Sequence, residues 1–233
     1  MHILTDHHSF HEKLAHTRWG LDSKVHTLEF VRSRSAFLLT SLLTAASRFL
    51  PATGALSKRL LLHRKWLWTQ IIAGRYRSVE IVLAFLVNVP WMQPGGYAGD
   101  DDTGNFIALA LSIALDLSLN KIVKPSASFK DEVLRTVLKA DCIDAKRALV
   151  MDGFDDVDVR SAWGQQLLQR RERIWIALFV LERGIGSASW PTSPSSFSDY
   201  IHFNLICQIL RIVHAPTLSC CRVGRTSTGI EAA

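Results

Sequence analysis

Asp100-Asp-Asp-Thr103-Gly-Asn-Phe106-Ile-Ala-Leu109-Ala-Leu-Ser-Ile113-Ala-Leu-Asp116-Leu117-Ser-Leu119 is the stretch on which the fold turns. Phe106, Leu109 with Ala110, Ile113 and Leu117 recur at the spacing that lines one face of an α-helix. Three aspartates precede Thr103, a residue type that caps helices, and negative charge favours the positive N-terminal end. Lys121 and Lys124 suit the opposite end, and Pro125 stops the helix because its ring removes a donor. The apolar run Phe106 to Leu119 is shorter than the ~20 residues a membrane span needs, and Asp116 interrupts it. It predicts a buried helix of a folded domain. Asp116 is then expected to pair with an arginine, for which the last helix offers candidates, because an unpaired buried charge is costly.

Upstream, apolar residues from Val25 to Leu50 recur at helical spacing (Leu28, Val31, Phe37/Leu38, Leu42, Ala45/Ala46) and predict one helix ended by Pro51 and Gly54. Leu56 to Tyr76 predicts a second, with Leu56, Leu60, Leu67 and Ile71 along a stripe that Trp68 and Ile72 widen. Ser78 to Val89 predicts a third, apolar nearly all round. Pro90, Pro94 and three glycines then mark a loop.

Downstream, Asp131 to Leu149 predicts a further amphipathic helix, and the acidic stretch Asp152 to Asp158 a loop. Ala162 to Arg183 carries Leu167, Ile174, Leu178 and Leu181 on one face, with Gly184 placed as its C-terminal stop. No alternating hairpin pattern stands out, so the expected class is all-α, an irregular helical bundle. Three parts are expected: a mobile lead-in over 1–25, a helical domain over 26–185, and a divergent tail over 186–233 with one further helix at Phe197 to Val213.

The chain has 233 residues, 48% apolar and 21% charged, which is an ordinary globular composition and argues against wholesale disorder. A formal charge of +6 is compatible with a polyanionic partner without identifying one. The opening residues lack the basic-then-apolar pattern of a secretory signal. Cys142, Cys207, Cys220 and Cys221 form no disulfide framework, which favours a reducing compartment.

Several groups invite a chemical reading, and each has an ordinary alternative. His7, His8, His11 and His16 include one pair four apart that a helix would bring together. His11-Glu12 with His16 is one residue too long for a metalloprotease helix, which turns the second histidine about 140° away. Solvated histidines are the ordinary alternative. Asp100 to Asp102 with Asn105 faintly resembles the magnesium-binding motif of terpene synthases. That chemistry needs oxygen ligands from two sides, and Asp152 to Asp158 does not supply the second set. The same acids serve as a helix cap. The basic helix Lys58 to Arg77 and the run Arg170-Arg-Glu-Arg173 interleave with Trp66, Trp68 and Trp175, which could stack on bases, but solvated faces with internal ion pairs are the favoured reading. No phosphate loop, nucleophile elbow or Cys–His signature is present. The expectation is no enzyme activity, and no catalytic, cofactor-binding or metal-binding residue is assigned.

Two stretches resemble a known family. Arg77-Ser-Val-Glu-Ile-Val-Leu-Ala-Phe-Leu-Val-Asn-Val-Pro-Trp91, with Gly99-Asp-Asp-Asp-Thr103 and Ile107 to Lys121, is similar to the middle homology region of fungal zinc binuclear cluster transcription factors. Arg170-Arg-Glu-Arg-Ile-Trp175, then Leu178-Phe-Val-Leu-Glu-Arg183, resembles that family's arginine-pair-and-tryptophan motif. The likeness spans residues 30 to 185. It implies an all-helical regulatory domain of a nuclear RNA polymerase II transcription factor, in which Arg170, Arg171 and Trp175 are structural signature residues. Expected partners are other transcription proteins or a dimer partner of the same family, with no membrane.

The chain departs from that pattern in two places. The family's DNA-binding module needs six clustered cysteines around two zinc ions, and four scattered ones cannot build it. No direct sequence-specific DNA contact is therefore expected. After Arg183 the family's Gly-Arg-Pro turn and longer second half are replaced by Gly184-Ile-Gly-Ser-Ala-Ser-Trp190, which predicts an incomplete regulatory domain from a truncated or mispredicted gene product. The alternatives are a helical interaction module unrelated to transcription and, more remotely, a magnesium-dependent terpene synthase-like enzyme.

Overall fold

A computed structural model describes residues 20–48, 54–92, 102–125 and 137–189. All of them belong to the first of two units, Met1–Ser189, while the second, Trp190–Ala233, lies outside the described residues. So do the four N-terminal histidines, Asp100, Asp101, three of the four cysteines and the segment Phe197 to Val213.

The described residues are mainly helical. Seven α-helices run in the order α1 (Leu28–Arg34), α2 (Ala36–Ser47), α3 (Gly54–Gly74), α4 (Val79–Asn88), α5 (Thr103–Asp116), α6 (Ala145–Met151) and α7 (Ala162–Ser189). Two three-residue strands, β1 (Ile122–Lys124) and β2 (Cys142–Asp144), pair in parallel, Val123 opposite Ile143. The all-α expectation therefore holds at the level of a mainly helical fold and fails at this small sheet.

The helix expected over Val25 to Leu50 is two helices. Ser35 adopts an extended conformation (φ −154°, ψ 108°) between them. Its backbone N–H closes α1 on the Val31 carbonyl, while its hydroxyl accepts from Leu38 N at 3.1 Å and opens α2. The buried hydroxyls of α2 turn back onto its own carbonyls, Ser41 to Phe37 and Thr44 to Thr40, each at 2.7 Å. Satisfied in this way, they pack in the core without stranded polar atoms.

Helix α4 is the centre. All ten of its residues are buried, and α2, α5 and α7 pack around it. Phe37, Phe85, Phe106 and Trp68 form a chain of ring contacts from α2 through α4 and α5 to α3, with centroids 5.2, 5.1 and 4.6 Å apart. Buried Asn88 ends α4 with every polar atom engaged. Its amide donates to Ser41 Oγ and the Ala84 carbonyl, and its oxygen accepts from Arg64 of α3 at 2.9 Å.

Helix α5 stops earlier than expected. Ser118 takes a left-handed conformation (φ 56°), its N–H bonding the Leu115 carbonyl and that of Leu119 the Ala114 carbonyl. This closing turn satisfies the last carbonyls and turns the chain into β1, so Lys121 and Lys124 lie beyond the helix. Helix α3 closes the same way at Arg75 (φ 51°). Leu138 to Asp144, expected inside a helix over 131–149, form a 3₁₀ turn and β2, and among the described residues of that range the α-helix begins only at Ala145, with α6. The loop expected over Asp152 to Asp158 is there and runs on to residue 161. Gly184 does not stop α7, which continues to Ser189.

Val123 and Ile143 drop into an apolar cluster with Val25, Ala148, Leu149, Leu167 and Leu168, flanked by Phe30, Phe154 and Trp163. Val25, in this cluster, and Leu21 are buried, although they fall in the stretch expected to be a mobile lead-in.

Candidate functional site

The most unusual feature among the described residues is a buried group of charges between α4, the end of α6 and α7. Glu80 sits in the first turn of α4, where the residues that follow it are apolar as far as Val87. Arg170 comes from the first half of α7. Its Nη1 lies 2.5 Å from Glu80 Oε1, and its Nη2 lies 3.1 Å from Asp152 Oδ2. Arg171, next along α7, bonds the other oxygen of Asp152. All four side chains are essentially inaccessible to water.

The group also finishes two helices. Arg171 donates to the Leu117 carbonyl at the end of α5 (2.5 Å) and to the Ala148 carbonyl of α6 (3.4 Å). Arg34, ending α1, donates to the Asp152 and Gly153 carbonyls just past α6. Cations placed on terminal carbonyls satisfy acceptors and oppose the negative end of the helix. Below them Phe30 and Phe154 are stacked (6.2 Å, 7°), with the Arg170 guanidinium 5.9 and 5.4 Å from their centroids and that of Arg34 4.5 Å from Phe154.

Burial and charge pull on this group in opposite directions. Burial pushes the Glu80 carboxyl up, but the charge and hydrogen bond of Arg170, a backbone hydrogen bond at Glu80 itself and the charge of Arg34 together hold the group below its ordinary value. Asp152 goes the other way: burial raises it against the pull of Arg171 and Arg170, with the Glu80 charge adding to the rise. His26, fully buried beside this group, is lowered to about 4 by burial and by the Arg170 charge. Its Nδ1 accepts from Asp22 N at 3.0 Å, and its Nε2 has no hydrogen-bond partner.

Both carboxylates are bonded to guanidinium groups out of reach of water, so the cluster clamps helices together. Among the described residues no three His, Cys, Asp or Glu side chains converge to hold a metal ion. No described helix is long and apolar enough to cross a membrane.

The residues singled out from sequence fall in separate places. Asp102 flanks the start of α5 without a side-chain cap bond, and Thr103, expected as the cap, is the first helical residue. Asp116 is paired, but with Arg77 at 2.5 Å rather than with α7, and both side chains are partly exposed. Trp66 is exposed, while Trp175 is buried. Of the basic run, Arg170 and Arg171 point inward, and Arg173 reaches Asp22. Glu80, Asp152, Arg34 and His26 were not singled out from sequence. Glu80 had a signal: a lone charge in a helix apolar all round needs a partner.

No family model, no curated protein and no solved structure matches the chain. The likeness to the fungal zinc cluster family rests on the residues quoted for it.

Proposed function

We propose that the chain is the regulatory, non-DNA-binding part of a fungal zinc cluster type transcription factor. It acts in the nucleus by binding other transcription proteins or a dimer partner of its own family, and it performs no catalysis. One observation supports this reading above the others: the two stretches that carry the resemblance meet in space. Arg170 of the second is ion-paired with Glu80 of the first, and Arg171 bonds the carbonyl of Leu117, also in the first. Two unrelated likenesses would have no need to share a buried ion pair.

The test is a fusion of the full chain to a heterologous DNA-binding module, assayed on a reporter in fungal cells. Reporter output is expected to rise or fall clearly against the module alone. An unchanged reporter with the fusion present in the nucleus would overturn the proposal. Purified chain should bind duplex DNA weakly and without sequence preference at physiological salt, and tight binding to one sequence would contradict the absence of a DNA-reading module.

A helical interaction module unrelated to transcription is the second reading. The exposed basic and apolar face of α3 favours it, and a silent reporter with intact partner binding would select it.

A further inference from the structure

Five of the nine large apolar side chains exposed among the described residues lie between Leu56 and Tyr76. Helix α3 turns Leu60, Leu61, Arg64, Leu67, Trp68 and Ile71 toward the bundle, all half-buried or buried. The opposite ridge is Leu62, Trp66, Thr69 and Ala73, spaced four, three and four apart and therefore in line. Leu62 is 70% exposed and Trp66 55%.

The rim of this ridge has one sign. Between Gly54 and Arg77 the chain carries six Lys or Arg and no Asp or Glu. Arg64 is committed to Asn88 and Arg77 to Asp116. Lys58, Arg59, Lys65 and Arg75 stay exposed around the apolar centre. The Trp66 ring stacks on His63, one turn earlier, at 5.7 Å and 17°, so it is already ordered before a partner arrives.

We propose that this ridge of α3 docks an amphipathic helix of a partner protein, one whose apolar stripe is flanked by Asp and Glu. An apolar centre with an aromatic anchor inside a charged rim is the anatomy of a protein interface. A nucleic acid would want cations at the centre, where Leu62 and Trp66 stand. A second copy of α3 would bring cations against cations. A lipid surface takes a broad apolar arc, whereas this ridge is narrow and alternates with Thr69 and Ala73. The surface does not depend on the transcription reading, so the reporter assay and the binding assay fail independently.

The experiment uses the full chain and a labelled synthetic amphipathic helix of about 20 residues with a Leu/Phe stripe and Glu/Asp flanks, followed by fluorescence anisotropy. Controls are the same peptide with Lys flanks, vesicles of phosphatidylserine and phosphatidylcholine, and duplex DNA. The acidic peptide is expected to bind, to weaken as salt rises, and to lose about tenfold or more in affinity with Trp66→Ala. Lys58→Glu with Lys65→Glu should weaken the acidic peptide and improve the Lys-flanked one. These side chains are exposed, so an unchanged thermal midpoint confirms that each variant folds. No binding of the acidic peptide, binding that Trp66→Ala leaves intact, or Trp66-dependent binding to vesicles or DNA in its place would each overturn the proposal.

Discussion

Arg170 and Glu80, ninety residues apart in the chain, are joined by a buried contact of 2.5 Å between Nη1 and Oε1. The pair ties the first half of α7 to the start of α4, and Asp152 and Arg171 extend it to α6 and the end of α5. Bringing such charges out of water is costly, so the group is sensitive to the loss of any one member.

Arg170→Met keeps most of the side-chain volume and removes the charge. It leaves Glu80 and one oxygen of Asp152 buried without their partner. The expected loss is about 3–5 kcal/mol of unfolding free energy, read from urea denaturation. Arg170→Met combined with Glu80→Leu should recover part of it, since the stranded carboxylate is gone. A single variant as stable as the parent would mean that the buried contact carries no such weight.

The Arg77–Asp116 pair has the same separation, 2.5 Å, and should behave differently. Water reaches both side chains, so screening and side-chain entropy offset most of the attraction. Arg77→Ala is expected to cost under about 1 kcal/mol in the same measurement. A loss as large as that of Arg170→Met would show that exposure does not separate the two pairs.

The contrast also explains what the sequence made legible. Helices α3, α5 and α7 are long, and their apolar residues repeat often enough to reveal a period, whereas α4 shows itself as an almost unbroken apolar run ended by Pro90. Strand β1 has three residues, too few to show alternation, and its partner lies beyond a long connection. Ser35 breaks a helix and caps the next one; serine is a common cap, but the helical apolar spacing runs on across it from Val31 to Leu38, which hides the break. Gly184 misled in the opposite sense: a glycine inside a helix costs only about 1 kcal/mol, which the surrounding turns absorb.

The buried charges were the hardest to foresee. A run such as Arg170-Arg-Glu-Arg173 ordinarily marks a solvated helix face. In α7 two of its arginines instead face inward. Which arginines turn inward depends on where Asp152 lands, and Asp152 lies in an acidic loop whose local pattern carries no such information.

His26 gives the fold a pH dependence. Its pKa falls from 6.5 to about 4 in the folded chain, so the unfolded chain takes up the proton first on acidification. The stability this provides is complete above about pH 6.5. It is lost as pH falls toward 4 and amounts to about 3 kcal/mol over the whole window. Glu80, also lowered, acts in the same direction at more acidic pH. Urea midpoints measured from neutral pH down to about 4.5 should fall more steeply for the parent than for His26→Asn, which keeps an acceptor near Nδ1 and removes the titration. Parallel slopes for the two chains would exclude His26 as the cause.

Gly164, in the first turn of α7, opposes two effects. Replacing a helical glycine with alanine ordinarily stabilises by about 1 kcal/mol through propensity. Here a Cβ would lie 2.2 Å from the Asp158 carbonyl oxygen. That carbonyl is fixed, since it accepts from Ser161 N at 3.1 Å and from the Ser161 hydroxyl at 2.7 Å. The same hydroxyl accepts from Gly164 N at 2.9 Å, so the collision also displaces the group opening α7. Steric cost should win, and Gly164→Ala is expected to destabilise by about 1–3 kcal/mol and lower the thermal midpoint. Gly104, in the first turn of α5, would have nothing within 4 Å of an added Cβ, so Gly104→Ala should follow propensity and stabilise slightly. Equal shifts in the two variants would show that the approach of the Asp158 carbonyl does not constrain this turn.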